Sequence, residues 1–315
     1  MRAFIFPGQG SQKIGMGEEL YNNFSEAKQV FEEVNDTLSI NLSKIIFNGT
    51  EEELRLTENA QPALMCVSYA VVKVLELMLE KKISQVGNYV AGHSLGEYSA
   101  LLVASSISLS DTAKILRLRG KLMQDAVPLG IGSMAALIGV DKDIINEIRK
   151  NFLNKNEILD VGNDNSPGQI VVSGHKSAID KVVENYKELN IKRAIELPVS
   201  APFHCSLMKE VSNKMVEPIN ELKILDPIIP LINNADADIL SKPIKIKNSL
   251  IKQITATVRW RESIEKMVSL KVDKIVELGS GNVLSGLVKR INKSVDASSV
   301  GTIQHIENLV NDLEN

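Results

Sequence analysis

The chain has 315 residues, enough for one large domain or two smaller ones with an ample hydrophobic core. Charged residues make up 24% of it and the formal net charge is −3, so composition gives no reason to expect a nucleic-acid or membrane partner. The two cysteines, Cys66 and Cys205, argue against a disulfide framework and predict a reducing, cytoplasmic location. The sequence shows neither metal-ligand spacing nor a phosphate-binding glycine loop, so we expect no metal and no cofactor.

The N-terminal part begins with a strand and continues as helices. Arg2–Phe6 is a short apolar strand that runs into the glycine-rich turn 7–12. Helical patterns follow at about 17–35 and about 61–80. The second is the most apolar long segment of the chain, but it carries a lysine and a glutamate. It is therefore predicted to be a buried core helix and not a membrane span.

The pentapeptide 92–96, Gly-His-Ser-Leu-Gly, has the G-x-S-x-G form of a nucleophile elbow. A short buried strand, 86–91, precedes it, and a helical stretch, 97–104, follows it. The glycines leave room for a strained turn, and the N-terminus of the new helix directs free N–H groups and its positive dipole end toward the serine. The motif predicts that Ser94 is a nucleophile. A tight turn carrying a solvated serine is the alternative.

A second domain is predicted inside the first. After a helix with Asp111 as a candidate N-cap, the segment 128–198 has the order β-α-β-β-α-β, which is the ferredoxin-like pattern. A larger α/β pattern surrounds it on both sides. We therefore predict an α/β protein in which residues 1–127 and 199–315 form a parallel-sheet catalytic domain, interrupted by a ferredoxin-like insert.

The predicted nucleophile needs a base, and histidine is the usual one at neutral pH. Of the four histidines, His204 is favoured because it lies in a proline-containing loop, 199–205, that follows a strand. His93 stays open as an alternative, although adjacent side chains diverge at a sharp turn. His175 and His305 are disfavoured because they lie in the insert and in a polar C-terminal segment that is predicted to be a helix.

The rest of the catalytic set is less marked in the sequence. No carboxylate stands in a motif of its own, so a Ser–His dyad oriented by a carbonyl oxygen is compatible with the chain. Cys205 is a second candidate nucleophile, but a buried structural cysteine is the more common case. We expect acylation to follow the pKa of an ordinary histidine, about 6–7.

Several segments spread over nearly the whole chain point to one family. They are Phe6–Gln12, Gln61–Leu64, Gly92–Ala100, Arg119–Lys121, Asn165–Gln169, Pro198–Cys205 and Glu277–Gly281. In order and spacing they resemble the malonyl-CoA:acyl carrier protein transacylases, the malonyl-loading enzymes of type II fatty acid synthesis. The resemblance implies an α/β-hydrolase-like large domain with a ferredoxin-like insert. Ser280 is a departure, since relatives often carry proline there, but no predicted catalytic role depends on it.

The same resemblance implies the catalytic roles. Ser94 is the acylated nucleophile and His204 is its base. Backbone N–H groups of Gln9 and Leu95 form the oxyanion hole. A main-chain carbonyl near Gln253 orients the histidine, so no acidic third member is expected.

Specificity is also implied. Arg119 is expected to pair with the free carboxylate of the malonyl group, since a guanidinium holds a carboxylate through two parallel hydrogen bonds. Arg117 remains open on spacing alone, because residues i and i+2 of a helix point to different sides. Phe203 resembles a bulky residue that narrows the space for an α-methyl branch. The resemblance further places Gln61, His93, Asn165 and Gln253 in the substrate site.

The implied reaction is a ping-pong transfer of malonyl from malonyl-CoA to acyl carrier protein, without metal or redox cofactor. Carrier proteins are usually acidic, so a basic docking patch is expected, either Arg259, Arg261 and Lys266 or Lys289 and Arg290. A serine esterase or thioesterase, malonyl loading for polyketide synthesis and an inactive carrier-binding scaffold are the alternatives.

Overall fold

The computed structural model describes residues 1–128, 130–199 and 201–314. Ser200, in the predicted loop 199–205, lies outside the described residues, as do Leu129 and Asn315. The strands are β1 (Arg2–Phe6), β2 (Tyr89–Gly92), β3 (Gly132–Ile138), β4 (Leu159–Ser166), β5 (Gln169–His175), β6 (Arg193–Glu196), β7 (Leu231–Ile232), β8 (Ile239–Leu240), β9 (Lys274–Leu278) and β10 (Asp296–Val300). The helices are α1 (Glu18–Asn23), α2 (Ser25–Leu38), α3 (Leu42–Asn48), α4 (Glu51–Arg55), α5 (Thr57–Leu79), α6 (Gly96–Val103), α7 (Leu109–Gln124), α8 (Lys142–Asn151), α9 (Lys176–Glu184), α10 (Lys209–Glu221), α11 (Pro243–Gln253), α12 (Trp260–Ser269), α13 (Val283–Ile291) and α14 (Ile303–Glu314).

The larger sheet has the order β10-β9-β1-β2-β7-β8. All neighbours in it are parallel except β7 and β8, which pair antiparallel at one edge. In the central strand β1, Phe4 and Phe6 pack into the core on one face of the sheet, and Ala3 and Ile5 pack into the core on the other. All four are fully buried, as expected for a parallel sheet covered on both faces.

A separate, antiparallel sheet has the order β4-β5-β3-β6. It has a hydrophobic core of its own, in which Leu137 and Val172 of the sheet pack with Ile145 of α8 and Ile179 of α9. The two predicted sheets, one mainly parallel and one antiparallel, are thus both present.

Strand β4 joins the smaller sheet to the larger unit. The N–H of Val258 donates to the carbonyl oxygen of Gly162 at 2.8 Å, and the N–H of Asp164 donates to the carbonyl oxygen of Val258 at 2.9 Å. The buried Asp164 carboxylate accepts from Arg261 through Nε at 3.1 Å and Nη2 at 2.9 Å, and it pairs with Lys142 Nζ at 3.0 Å. Backbone and charged contacts therefore hold β4 close to α12.

Several element boundaries differ from those predicted. The predicted helix 17–35 is two helices, α1 and α2. Asp111 is not an N-cap, because α7 begins two residues earlier and the Ser108 hydroxyl accepts the Asp111 N–H at 3.0 Å. The strand predicted at 86–91 is observed at Tyr89–Gly92. It begins later than predicted because residues 86–88 follow directly on the 3₁₀ turn Ile83–Gln85. The C-terminal segment is the helix α14, which buries Ile306 and is not simply polar.

One helix in the described part of the chain, α5, is long and apolar enough to cross a membrane by length and composition alone. However, 72% of its most apolar window is buried inside the protein. Its residues belong to the same hydrophobic core as those of α2 and α7. This environment agrees with the predicted core helix.

Candidate active site

The turn predicted from G-x-S-x-G lies where β2 ends and α6 begins. Ser94 has φ of 54°, in the left-handed region. A Cβ atom on Gly92 would lie 1.9 Å from the backbone of Gly96, and one on Gly96 would lie 2.3 Å from the carbonyl oxygen of Phe6. Only glycine fits at either end, so the sequence forces the tight turn that presents the serine hydroxyl.

His204 lies against this hydroxyl. The distance from Ser94 Oγ to His204 Nε2 is 2.8 Å, and the distance from His204 Nδ1 to the carbonyl oxygen of Gln253 is also 2.8 Å. Because a carbonyl oxygen can only accept, Nδ1 carries the proton and the Nε2 lone pair faces the serine. The pair can therefore transfer the serine proton to the imidazole.

The environment of His204 keeps the imidazole neutral. The pKa of His204 is lowered to about 3, chiefly by burial and also by the positive charge of Arg119, while the hydrogen bond to the Gln253 carbonyl opposes the shift. The expected pKa of about 6–7 is therefore wrong. That expectation assumed an exposed ring, whereas His204 is only 3% exposed and faces a buried guanidinium.

Arg119 is fully buried beside the serine. Its Nη2 donates to Ser94 Oγ at 3.1 Å and to Gln253 Oε1 at 2.9 Å, and its Nη1 donates to Gln61 Oε1 at 2.8 Å. The guanidinium carbon lies 5.6 Å from the centre of the Tyr98 ring. No carboxylate forms an ion pair with Arg119 in the described part of the chain, and the nearby charge that acts on this buried guanidinium is that of the Glu97 carboxyl group.

The structure separates the two arginine candidates. Arg117 Nη2 pairs with Glu58 Oε2 at 3.2 Å, and its Nη1 donates to the carbonyl oxygen of Glu58 at 2.9 Å. Arg117 thus contacts the start of α5, while Arg119, two residues along α7, reaches Ser94.

His93 is occupied elsewhere. Its Nε2 lies 2.9 Å from Asn165 Oδ1, and its ring centre lies 5.6 Å from that of Trp260. The contact joins the elbow to β4 of the smaller sheet. Burial lowers the pKa of His93, and its contact with Asn165 opposes that shift.

A cavity of about 360 Å³ opens onto the serine and the arginine. Gln9, Leu95, Met123, Met134 and Phe203 are among its lining residues. The N–H groups of Gln9 and Leu95 donate to no protein acceptor among the residues described, so both remain free for a bound group. No set of three or more His, Cys, Asp or Glu side chains in that part of the chain is placed to hold a metal ion.

A second cavity, of about 740 Å³, reaches His204 from another direction. Its lining includes Lys142, Arg149, Lys209 and Arg259. Lys142, Arg149 and Arg259 pair with acidic residues, so most of the positive charge in this cavity is balanced.

Cys205 does not behave as a nucleophile in this structure. Its buried Sγ donates to the carbonyl oxygen of Pro202 at 3.0 Å. Burial raises the pKa of the thiol to about 11, so the thiolate is disfavoured at neutral pH. The structural role is the one that the geometry supports.

Two residues near the serine were not singled out from the sequence. Asn234 Oδ1 accepts the N–H of Ser94 at 2.7 Å, and its Nδ2 donates to the carbonyl oxygen of Gly92 at 2.7 Å. Glu97 Oε2 accepts the N–H of Asn234 at 2.9 Å. In the sequence, Glu97 is marked only by its place in the family segment Gly92–Ala100. Asn234 is marked only by its place after the buried strand β7.

The two basic patches differ in how their charge is balanced. Arg261 pairs with Asp164 and Glu265, Arg259 pairs with Glu262, and Lys266 pairs with Asp238. In the other patch, Arg290 donates to the side-chain oxygen of Gln169, and Lys289 lies beside it in the last turn of α13. Carrier docking at either patch stays a prediction.

Comparison with known proteins gives a consistent family. Residues 3–310 match the model of the acyl transferase domain. The malonyl CoA-acyl carrier protein transacylase of Bacillus subtilis (strain 168) is 44% identical over 305 residues, which cover 97% of this chain and 95% of that protein. A relative from Staphylococcus aureus (strain MRSA252) with the same name is 41% identical over 97% of both chains.

Solved structures agree. The acyl-carrier-protein-S-malonyltransferase of Bartonella henselae is 48% identical, with a TM-score of 0.96 over 100% of this chain and 99% of that one. A malonyl-transacylase solved in complex with its type II PKS acyl-carrier protein is 37% identical, with a TM-score of 0.94 over 99% of each chain. The chain belongs to the acyl transferase family, among the malonyl CoA-acyl carrier protein transacylases.

Proposed function

We propose that this protein transfers a malonyl group from malonyl-CoA to the pantetheine thiol of an acyl carrier protein through a malonyl-serine intermediate. The observation that carries the proposal is the buried Arg119, whose guanidinium lies 3.1 Å from Ser94 Oγ without a carboxylate partner in the described part of the chain. A cation in this position suits an acyl group that ends in a carboxylate. The names of the closely similar relatives also support it.

In the proposed first half-reaction, His204 Nε2 takes the proton of Ser94 as Oγ attacks the thioester carbonyl carbon. The negative charge that develops on the carbonyl oxygen is stabilised by the free N–H groups of Gln9 and Leu95. The carbon–sulfur bond then breaks, and the proton held by His204 passes to the CoA thiolate. The product is a malonyl ester of Ser94.

The second half-reaction repeats these steps with the carrier thiol as the nucleophile. His204 takes the thiol proton, sulfur attacks the ester carbonyl carbon, and the carbon–oxygen bond to Ser94 breaks. The proton returns to the serine oxygen. The dyad needs no metal or redox cofactor for either half, because each one is a nucleophilic substitution with proton transfer.

Substrate choice in this proposal depends on residues around the cavity. Arg119 pairs with the malonyl carboxylate, while Gln61 and Gln253 hold the guanidinium. Phe203 limits room next to the acyl α-carbon. His93 lines the cavity and is held by Asn165 of β4, so the His93 ring can contact the bound thioester.

We also propose the finer description of the fold. The strand order of the smaller sheet is that of a ferredoxin-like unit, which supports an insert at 128–198. Residues 1–127 and 199–315 then form an α/β-hydrolase-like catalytic domain around the elbow. The mainly buried α5 and the two free, buried cysteines support a cytoplasmic protein without a membrane partner. The formal net charge of −3 supports the absence of a nucleic-acid partner.

Replacing Arg119 tests the proposal. The change Arg119→Ala leaves the malonyl carboxylate without its partner, and breaking a buried charged pair costs about 3–5 kcal/mol. We expect kcat/KM for malonyl-CoA to fall by roughly 10²–10³-fold, whereas the value for acetyl-CoA stays level or rises. Arg119→Lys should recover only part of the malonyl activity, because a point charge does not reproduce the two-pronged contact.

The matched control is Arg117→Ala, which removes the neighbouring arginine and should leave the malonyl-to-acetyl ratio unchanged. A uniform loss for both acyl groups in Arg119→Ala would mean that Arg119 is structural.

Intact-protein mass measurement after incubation with malonyl-CoA distinguishes a transferase from an esterase. A transferase keeps the malonyl group until a thiol acceptor is added, whereas an esterase releases it to water. Comparing carriers from fatty acid and polyketide synthesis as acceptors distinguishes the two settings.

A further inference from the structure

Glu97 is a buried carboxylate that the proposed reaction does not use. It lies in the first turn of α6, three residues after Ser94, and its side chain is fully buried. It forms no ion pair with any residue that the structure describes. Burial raises the pKa of Glu97 to about 7. A carboxylate in such a position is costly unless it is hydrogen-bonded, so its contacts are informative.

One oxygen of Glu97 makes both of its contacts. Oε2 accepts the N–H of Asn234 at 2.9 Å and the side-chain Nε2 of Gln253 at 2.8 Å. Gln253 Nε2 also donates to the carbonyl oxygen of Ser94 at 3.0 Å. Glu97 is thus linked to the backbone around the serine and to the amide that stands between it and the arginine.

The amide of Gln253 has a donor end and an acceptor end, and its two neighbours differ in what they can offer. The guanidinium of Arg119 can only donate, and it donates to Gln253 Oε1 at 2.9 Å. The carboxylate oxygen of Glu97 accepts, and it receives Gln253 Nε2. Turning the amide over would place two donors against each other on one side and two acceptors on the other. Glu97 and Arg119 therefore fix a single orientation of this amide.

We propose that Glu97 is a positioning residue, which holds the Gln253 amide so that Arg119 is placed for the acyl carboxylate. The inference rests on the proposed malonyl transfer. Glu97 touches neither the serine hydroxyl nor His204, so its effect reaches the substrate through Gln253 and Arg119. Loss of this hydrogen bond should then change the choice between malonyl and acetyl more than it changes the acyl-transfer step.

Two substitutions separate hydrogen bonding from charge. Glu97→Gln removes the charge but keeps an oxygen that can accept from Asn234 and Gln253. Glu97→Asp keeps the charge but shortens the side chain by one methylene, which withdraws the oxygen from Gln253. A positioning role predicts that the glutamine variant keeps the malonyl-to-acetyl ratio of kcat/KM within about threefold and that the aspartate variant lowers it about 10- to 100-fold.

Glu277 provides a matched control. It is also fully buried, and its two oxygens accept the N–H groups of Leu284 and Ser285 at 3.2 and 2.8 Å, away from Arg119. Glu277→Gln and Glu277→Asp should lower stability without changing the ratio. Thermal melting of each variant shows whether a loss of activity reflects loss of fold.

The outcomes are distinct. A lower malonyl-to-acetyl ratio of kcat/KM in Glu97→Gln overturns the proposal, whether or not the aspartate variant folds. If the ratio falls in Glu97→Gln but is unchanged in Glu97→Asp, Glu97 acts through its charge instead. Equal losses for malonyl and acetyl would make it structural. Failure of the unaltered protein to form a malonyl-serine ester would refute the proposed function itself, which is a different result from an unchanged ratio in active variants.

Discussion

Ser94, His204 and Arg119 form a site in which a neutral base and a fixed cation share one hydroxyl. Ser94 Oγ lies 2.8 Å from the base and 3.1 Å from the guanidinium. The guanidinium disfavours a second positive charge on the imidazole, so it helps to keep His204 unprotonated in the free enzyme. A carboxylate bound to Arg119 would weaken that effect and make His204 a stronger base when the substrate is present.

Acylation of Ser94 should depend little on pH near neutrality. Because the folded-state pKa of His204 is lowered to about 3, the imidazole is already neutral throughout pH 5–8. The kcat/KM of Ser94 acylation, which reports the free enzyme, should therefore be level across this range and fall only at lower pH. Rapid-quench mass measurement of the acylated protein tests this. A rate that rises through pH 6–7 in the Glu97→Gln variant, in which this carboxyl group cannot titrate, would contradict it.

Three variants serve as controls for that profile. Arg119→Ala removes the nearby positive charge, so the acid limb should move to higher pH. His204→Ala should slow acylation by about 10²–10⁴-fold or more, whereas His93→Ala should slow it much less, because His93 is hydrogen-bonded to Asn165.

The sequence predicted individual site residues where they belong to a recognisable motif. It predicted Ser94 and His204, and the resemblance favoured Arg119 although helical spacing left Arg117 open. It did not predict the pKa of His204 or the contacts of Glu97. Those depend on burial and on Gln253, which is 156 residues away from Glu97 along the chain.

Among the elements, the turn between β2 and α6 tolerates the least change. Gly92→Ala would place a Cβ atom 1.9 Å from the backbone of Gly96, where no flexible side chain can yield. We expect a loss of at least about 1–3 kcal/mol in the free energy of unfolding and a large loss of acylation. Urea unfolding and acylation rates measure the two effects.

Gly286, inside α13, is the matched control, because a Cβ atom there would meet nothing within 4 Å. Gly286→Ala should stabilise the protein by about 0.5–1 kcal/mol, since alanine is the better helix former. If Gly92→Ala were as stable and as active as Gly286→Ala, the strained turn would not be what presents Ser94.

Element types were more predictable than their ends. The apolar patterns predicted β1, α5 and the alternating strands and helices of the smaller sheet. The start of α7 was missed because Ser108 and Asp111 are both capping residues, and only the fold shows that Ser108 accepts the free N–H. The break between α1 and α2 falls at Phe24, which has an extended backbone. No local sequence pattern predicts this break.

For the whole molecule, we expect the contacts of β4 with α12 to couple the unfolding of the two sheets. Asp164→Asn weakens the double hydrogen bond to Arg261, and hydrogen bonds to charged groups are worth about 1.5–3 kcal/mol. We expect a lower Tm by calorimetry, with a single transition in the unaltered protein.

Asp226→Asn is the control, because the pair of Asp226 with Lys242 is more than half exposed on both sides. An exposed pair of this kind contributes about 0–1 kcal/mol, so Tm should change little. Equal shifts in the two variants would show that the charged contacts of β4 do not hold the sheets together.

The presence of two sheets was predictable from the change in strand and helix order, but the packing between them was not. The Thr257 hydroxyl donates to the carbonyl oxygen of Val161 at 2.6 Å, across 96 residues. No local pattern encodes such a pairing. The contact depends on β4 lying beside the segment that precedes α12.

The left-handed backbone at Ser94 and His204, with φ of 54° and 58°, also restricts evolution of the chemistry. A β-branched residue is a conformational outlier at such angles, because its second branch crowds the backbone. Threonine, which offers the same hydroxyl group, is therefore a poor replacement for Ser94, whereas cysteine keeps an unbranched Cβ. The backbone conformation of the turn therefore restricts which nucleophilic residues can occupy position 94, independently of how reactive each one is.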